Sequence, residues 1–130
     1  MEEQLVGTDN IDITISYNNL GYTYHELKQY DLAMEYYQKA LTIQESKVGR
    51  EHTLTANSYK NIGILHYDIQ EYDKALEYVL TAMEISEKLK GVEDAETLAI
   101  YNIVANVYGA LGDTASEEIY RAKAASNRVE

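Results

Sequence analysis

The chain has 130 residues, of which 45% are hydrophobic and 25% are charged, a balance typical of one folded domain and not of a disordered segment. Its formal net charge of −11 argues against nucleic acid and anionic membranes as partners, because both bind basic surfaces. The sequence contains no cysteine, which excludes disulfides, thiolate metal ligands and a thiol nucleophile, and no proline, which favours helices.

The first four residues, from Met1 to Gln4, include no basic side chain. No apolar run approaches the roughly 18 residues that a membrane-spanning helix requires. We therefore expect neither a signal peptide nor a transmembrane helix, and a cytoplasmic location.

A repeat of 42 residues is the strongest pattern in the sequence. Gly21, Gly63 and Ala105 are separated by 42 residues each, without an insertion. The same spacing relates six further sets, which are Tyr17, Tyr59 and Tyr101; Leu20, Ile62 and Val104; Leu27, Ile69 and Leu111; Tyr36, Tyr78 and Tyr120; Ala40, Ala82 and Ala124; and Gly7, Gly49 and Gly91. This recurrence predicts a single domain, 1–130, with three repeats at about 9–49, 50–91 and 92–128, and it is also compatible with a fragment of a longer array.

Each unit is predicted to form two helices, since its apolar residues recur at intervals of three and four residues. In chain order, the predicted helices span about 10–28, 31–47, 52–70, 73–89, 94–111 and 114–127. Asp31 and Asp73 are the predicted N-caps of the second helix in the first two units. Gly49 and Gly91 are the predicted C-caps of those helices.

The second helix of the third unit departs from the pattern. Glu117 takes the place of an alanine of the other two units, and Arg121 takes the place of a tyrosine. Two interpretations are open: either a shortened turn brings Ala115, Ile119 and Ala122 to the core, or the helix packs differently. A terminal repeat is expected to be atypical, because one of its faces meets solvent.

The repeated residues resemble the tetratricopeptide motif, which has an aromatic residue, Leu-Gly and tyrosine on its first helix and two alanines around an aromatic residue on its second. The matching positions are Tyr17, Leu20, Gly21, Tyr24, Ala33, Tyr37 and Ala40 in the first unit, and Tyr59, Ile62, Gly63, His66, Ala75, Val79 and Ala82 in the second. The period exceeds the usual ~34 residues and is similar to that of kinesin light chains and of bacterial peptide-pheromone receptors. The resemblance implies an all-α fold, a right-handed α-solenoid of three helix-turn-helix repeats with about six antiparallel helices.

Solenoids of this family present a concave surface that is lined by the first helix of each pair. Six of the eight asparagines of the chain fall on the face of those helices that is opposite the apolar stripe. An amide both donates and accepts hydrogen bonds, so such a row is able to bond the backbone of an extended peptide. The predicted peptide-binding groove consists of Asn18, Asn19, Tyr22, Asn57, Lys60, Asn61, Ile64, Tyr67, Asn102, Ile103 and Asn106.

An ordinary solvated surface, with asparagines that bond neighbouring helices, is the alternative interpretation of this face. The charge distribution favours the groove. The first-helix windows 12–28, 54–70 and 96–112 hold 3, 2 and 1 charged residues, whereas 31–47 and 73–89 hold 5 and 6. The carboxylate clamp with which some members of the family bind chaperone C-termini is not matched, since Asn61 alone fits it.

We expect no enzymatic activity, because the sequence lacks the motifs of serine hydrolases, phosphate-binding loops and zinc metalloproteases. His25, His52 and His66 are not spaced as metal ligands, and His66 is expected in the core. No catalytic residue, metal ligand or cofactor is therefore predicted.

The predicted function is a protein-interaction module that binds a peptide segment of a partner protein, with no nucleic acid and no membrane as ligand. The alternative is a structural array, a scaffold or oligomerisation segment that stacks on further repeats or on a second copy without a dedicated peptide ligand.

Overall fold

The computed structural model describes residues 10–125, and all regular structure in this range is helical. The six helices are α1 (Ile11–Glu26), α2 (Tyr30–Lys47), α3 (Thr53–Asp68), α4 (Tyr72–Lys90), α5 (Ala95–Ala110) and α6 (Thr114–Ala124). The predicted bounds agree within two residues, except that α6 ends at Ala124 and so before the predicted end at 127. Gly7 and the predicted repeat bounds at 9 and 128 lie outside the described residues.

The first helix of every pair begins with the same kind of cap. The three N-caps are Asn10, His52 and Asp94. Each side chain accepts a hydrogen bond from the backbone N–H two residues later, at 2.7–3.0 Å. The predicted N-caps Asp31 and Asp73 are wrong, because Gln29 and Glu71 occupy those cap positions and neither side chain bonds the helix. The two aspartates lie in the first helical turn, where a negative charge interacts favourably with the helix dipole.

The turn within each pair contains one residue in a left-handed conformation. These residues are Lys28, Gln70 and Gly112, with φ angles of 63°, 67° and 84°. The next residue donates its backbone N–H to the carbonyl five residues earlier, at 2.8–2.9 Å, which satisfies a carbonyl at the helix end. A turn this short makes the two helices of a pair antiparallel. The predicted C-cap glycines, Gly49 and Gly91, also have positive φ angles, of 87° and 97°.

Gly21 and Gly63 lie where the two helices of a pair cross closely. A Cβ atom at Gly63 would lie 2.5 Å from Val79 Cγ1 and 3.2 Å from the backbone nitrogen of Val79. At Gly21 it would lie 2.5 Å from the ring of Tyr37. Ala105 occupies the same register in the third pair and is completely buried. Small residues thus separate the two helices of each pair.

A cluster of three aromatic rings lies beside the crossing in every pair. The ring of Tyr36 stacks on Tyr24 with centroids 5.7 Å apart and contacts Tyr17 at 5.8 Å. The other two clusters are Tyr59, His66 and Tyr78, and Tyr101, Tyr108 and Tyr120, with centroid distances of 5.5–6.0 Å. His66 is buried, and its Nδ1 pairs with Glu71 at 2.8 Å, as predicted for a core histidine. The repeated tyrosines thus serve helix packing.

Neighbouring pairs meet at two junctions, α2 against α3 (the first junction) and α4 against α5 (the second junction). At each junction a tyrosine donates its hydroxyl to a glutamate 14 residues earlier, Tyr59 to Glu45 and Tyr101 to Glu87. Burial and this hydrogen bond raise the pKa of Tyr59 to about 12, and the same two causes raise the pKa of Tyr101. Both phenols therefore bond the glutamates in their neutral form.

Helix α6 keeps the register of the earlier second helices. Tyr120 stacks on Tyr108, and Ala124 is 5% exposed at the register of two buried alanines. The interpretation with a shortened turn is wrong. The residues that it placed in the core are exposed, namely Ala115, Ile119 and Ala122.

The third pair instead differs in the chemistry of its crossing. Glu117 lies over Gly109, where a Cβ atom would meet the glutamate carboxyl at 3.0 Å. Arg121 pairs with Glu117 at 3.1 Å and also donates to Asn106 Oδ1 at 2.8 Å. A polar strip thus replaces the apolar contact that Val79 makes in the second pair.

We expect Gly63→Ala to destabilise the protein by about 1–3 kcal/mol, because the added methyl group overlaps Val79 and the backbone of α4. Gly109→Ala is the matched control. The added group there meets only the flexible Glu117 side chain, and alanine favours a helix over glycine by about 0.5–1 kcal/mol. Urea unfolding followed by circular dichroism measures both changes. Equal changes at the two positions would contradict the packing role of Gly63.

Stability should fall as the pH rises from about 10 to about 12. An unfolded chain loses the Tyr59 proton near the ordinary pKa of 10.0, whereas the folded chain keeps it to about 12. The unfolded state therefore binds fewer protons in this window, and the free energy of unfolding decreases with pH. Urea midpoints should show a smaller decrease for Tyr59→Phe than for the unchanged chain, with neutral-pH midpoints as the reference. Parallel decreases would contradict this assignment.

Candidate functional site

The first helices α1, α3 and α5 line the inner side of the stack. They contact one another across the junctions more closely than α2, α4 and α6 do, so the array curves towards them. The face that they turn away from their partner helices is the inner face. It comprises Ile15, Asn18, Asn19, Tyr22, Asn57, Lys60, Asn61, Ile64, Asn102, Ile103 and Asn106.

Four amide side chains of the inner face make no hydrogen bond to any residue within 10–125. They are Asn19, Asn57, Asn61 and Asn102. Asn19 and Asn102 are exposed, and Asn57 and Asn61 are half-buried. Each offers two N–H donors and one carbonyl acceptor, so all four are free to bond a ligand.

Two predicted groove amides are engaged within the protein. Asn18 Nδ2 donates to Ser58 Oγ across the first junction at 3.1 Å. Asn106 Oδ1 accepts from Arg121 at 2.8 Å. The interpretation that asparagine bonds neighbouring helices therefore applies to Asn18, whereas Asn106 retains its NH₂ group for other contacts.

The free amides are staggered and do not follow a single register. Asn19 and Asn61 are 42 residues apart, but Ile103 takes this position in the third unit. Asn102 shares its register with Asn18 and Lys60. Apolar and polar side chains consequently alternate along the inner face, which suits a ligand with both backbone polar groups and side chains.

Apolar side chains of the inner face are most exposed on α1. Ile15 is 50% exposed and Tyr22 is 59% exposed, and Asn18 lies between them on the same helix. Ile64 and Ile103 are half-buried. Tyr67, which was also predicted in the groove, instead packs its ring on Tyr72 at 5.6 Å, beside the turn between α3 and α4.

Charged groups are few on this side of the protein. His25 pairs with Asp68 at 2.6 Å and links α1 to α3. Lys60 has no acidic partner among residues 10–125. The inner face therefore carries one uncompensated cation in its middle unit.

A small crevice opens beside Lys60 at the second junction. The junction crevice is lined by Thr53, Ala56, Asn57 and Lys60 of α3, by Ser86, Leu89 and Lys90 of α4, and by Glu96 and Ile100 of α5. Its lining is mainly apolar, and its closed part has room for about one methyl- or water-sized group. Two of the lining residues, Lys90 and Glu96, form an ion pair at 2.9 Å, and the bond to Glu96 raises the pKa of the Lys90 ammonium.

The sequence of the chain matches a family model described as a tetratricopeptide repeat over residues 12–88, more than half of its length. The chain belongs to the tetratricopeptide repeat family. Among solved structures, BtubC (BKLC) from P. vanneervenii matches with 27% sequence identity and a TM-score of 0.84. The match covers 89% of this chain and 46% of that chain, so this chain spans about half the length of BtubC. A search of curated proteins gave no match.

These findings confirm an α-solenoid of tetratricopeptide repeats and its kinesin-light-chain-like type. Tetratricopeptide repeats are in general protein-interaction or scaffold modules. Within residues 10–125, no group of three or more His, Cys, Asp or Glu side chains is placed to hold a metal ion. None of the six described helices is long and apolar enough to cross a membrane.

The sequence predicted the asparagines of the inner face but not the junction crevice. Ser86, Leu89 and Ile100 were outside the predicted groove, because they lie on α4 or point from α5 towards the junction. The sequence does contain one signal of the crevice: the residue changes between units at two registers, from Gln44 to Ser86 and from Ser58 to Ile100.

Proposed function

We propose that the chain is a protein-interaction module that binds a peptide segment of a partner protein along its inner face. The observation that carries this proposal is the set of four amides that bond nothing within residues 10–125, namely Asn19, Asn57, Asn61 and Asn102. They lie on the first helices of the three pairs, at intervals along one side of the stack. A ligand that runs across α1, α3 and α5 meets all of them.

Amides suit recognition of a peptide backbone. One asparagine is able to accept from a backbone N–H while it donates to a backbone carbonyl. Each such hydrogen bond contributes about 0.5–1.5 kcal/mol. Four to six of them, together with apolar contacts from Tyr22 and Ile64, support a binding free energy of about −8 kcal/mol, which corresponds to a dissociation constant in the micromolar range.

The charge pattern supports the same proposal. Helix windows on the inner side hold at most 3 charged residues, although the chain has a net charge of −11. A surface selected only for solvation would resemble the second helices, which carry pairs such as Glu35 with Lys39. A neutral inner face avoids the cost of removing charges from water when a peptide covers it.

Replacing Asn61 and Asn102 together by alanine should weaken peptide binding by more than about tenfold, because two to four hydrogen bonds are lost. The helical content should not change, since neither side chain bonds the described part of the protein. The ligands are peptides enriched from a random 12-residue display library on the unchanged chain. Their affinities for both chains are measured by fluorescence anisotropy.

Gln29→Ala is the control for this double replacement, because Gln29 is an exposed amide in the turn between α1 and α2, away from the inner face. Its affinity for the enriched peptides should equal that of the unchanged chain. Equal affinity of the double variant would contradict the amide groove, and a library without enriched peptides would contradict peptide binding as such.

A structural array is the second candidate, and one observation favours it. Leu20 is 40% exposed, whereas Ile62 and Val104 at the same register are completely buried by the preceding helix pair. Helix α1 thus presents a face that the other first helices use for stacking. Ile119 of α6 is 54% exposed at the opposite end of the stack.

If the chain associates with itself through these ends, its mass in solution should rise with concentration. Leu20→Lys should abolish that rise, because it buries a charge in an apolar contact. Sedimentation across a dilution series measures the mass, and Val92→Lys, at an exposed apolar residue between α4 and α5, is the control. A constant monomer mass at every concentration would contradict self-association.

A further inference from the structure

The two junctions are built from the same registers but are filled differently. In the first junction Gln44 is completely buried, and its Oε1 accepts from Ser58 Oγ at 2.6 Å. Ser58 Oγ in turn accepts from Asn18 Nδ2 at 3.1 Å. A chain of three polar side chains therefore fills the space between α1, α2 and α3.

The second junction replaces all three of these residues. Ser86 stands at the register of Gln44, Ile100 at that of Ser58 and Lys60 at that of Asn18. The shorter Ser86 bonds to Thr97 at 2.7 Å and leaves the space that Gln44 fills in the first junction. That space is the junction crevice, whose floor includes Ile100, a residue that is 2% exposed.

We propose that the junction crevice is a specificity pocket of the inner face, which takes an aliphatic side chain of a bound peptide next to a carboxylate that pairs with Lys60. This inference rests on the proposed function, since it names a sequence feature of the peptide that the inner face binds.

The chemistry of the lining selects this ligand. Ala56, Leu89 and Ile100 contribute carbon surface, which favours a methyl-bearing group over a polar one. Lys60 stands at the same pocket without an acidic partner among residues 10–125, whereas Lys90 nearby is already paired with Glu96. A carboxylate of the ligand is thus attracted by an uncompensated cation, although the protein as a whole is acidic.

The neighbouring amide fixes how the peptide approaches. Asn57 also lines the crevice, and its side chain bonds nothing within the described residues. It is able to bond the backbone of the residue whose side chain enters the pocket. The closed part admits about one methyl-sized group, so the methyl group of alanine or one terminal methyl group of valine or leucine fits there, and an aromatic ring does not.

Two variants test the pocket with the peptides enriched on the unchanged chain. Lys60→Asn removes the cation and copies the residue of the first junction. The triple variant Ser86→Gln, Ile100→Ser and Lys60→Asn copies the whole polar filling of the first junction, in an arrangement that already packs in this protein. Each should weaken binding by about five- to tenfold or more, as expected for one well-buried contact. Ser46→Gln, the same serine change at an exposed site on α2, should have no effect.

The enriched peptides should contain an aliphatic residue adjacent to Asp or Glu, or to a C-terminal carboxylate. Replacing that acid by its amide should cost the unchanged chain affinity but should cost Lys60→Asn none. A loss that is equal in both chains would overturn the pairing of the carboxylate with Lys60.

A second measurement does not depend on a peptide groove. N-acetyl-leucine, which carries an aliphatic group and a carboxylate, should shift the methyl NMR signals of Ile100 and Ala56 at millimolar concentrations. N-acetyl-leucinamide should shift them less, and the triple variant should abolish the shifts. If peptides bind but neither variant nor probe has an effect, the pocket is refuted while the proposed function stands. If no peptide is enriched but the probe shifts these signals, the pocket stands and the peptide groove fails.

Discussion

The close crossing of two helices at a residue without a side chain, Gly21 or Gly63, is the constraint on which the rest of the structure depends. Each crossing lets one side chain of the second helix, Tyr37 or Val79, reach the backbone of the first. This contact fixes the rotation of the first helix about its axis, because no other face permits the same approach. The rotation decides which residues meet the aromatic cluster and which turn to the inner face. The free amides are therefore a consequence of packing on the opposite side of the same helices.

Stacking of the pairs imposes a second constraint, which acts at the junctions. One helix pair alone leaves the apolar face of its first helix uncovered, as the 40% exposure of Leu20 shows by comparison with the completely buried Ile62. The junctions cover that face and add a partly buried hydrogen bond from a tyrosine to a glutamate, such as that from Tyr101 to Glu87 at 2.5 Å. The neutral phenols supply hydrogen-bond donors for these carboxylates at the junction edge.

Much of the fold could be predicted from the sequence, because a repeat shows the same local pattern three times and so removes chance agreement. The positions of the helices followed from spacing alone. The N-caps of the second helices did not, since the predicted Asp31 and Asp73 lie only two residues after the actual cap positions, Gln29 and Glu71, and the choice between such positions depends on φ angles that composition does not fix. The polar groove was inferred from helical geometry, but geometry on one helix does not reveal that Asn18 bonds Ser58 of another. The crevice could not be predicted for the same reason, because its lining residues come from three different helices.

The contrast between the two junctions indicates how a repeat of this kind acquires specificity. Residues at the helix crossings cannot vary freely, because a larger group at Gly63 meets backbone atoms of the partner helix. At the junctions, by contrast, different residues are tolerated as long as the side chains together fill the available volume. Gln44 fills its junction with a long amide, whereas Ser86 does not fill the corresponding space, and the helices around both keep the same arrangement. A change of side-chain length at this register therefore opens or closes a pocket without a change in fold. Under the proposed function, the amides of the inner face bond the peptide backbone, and the junction crevice selects among peptide side chains.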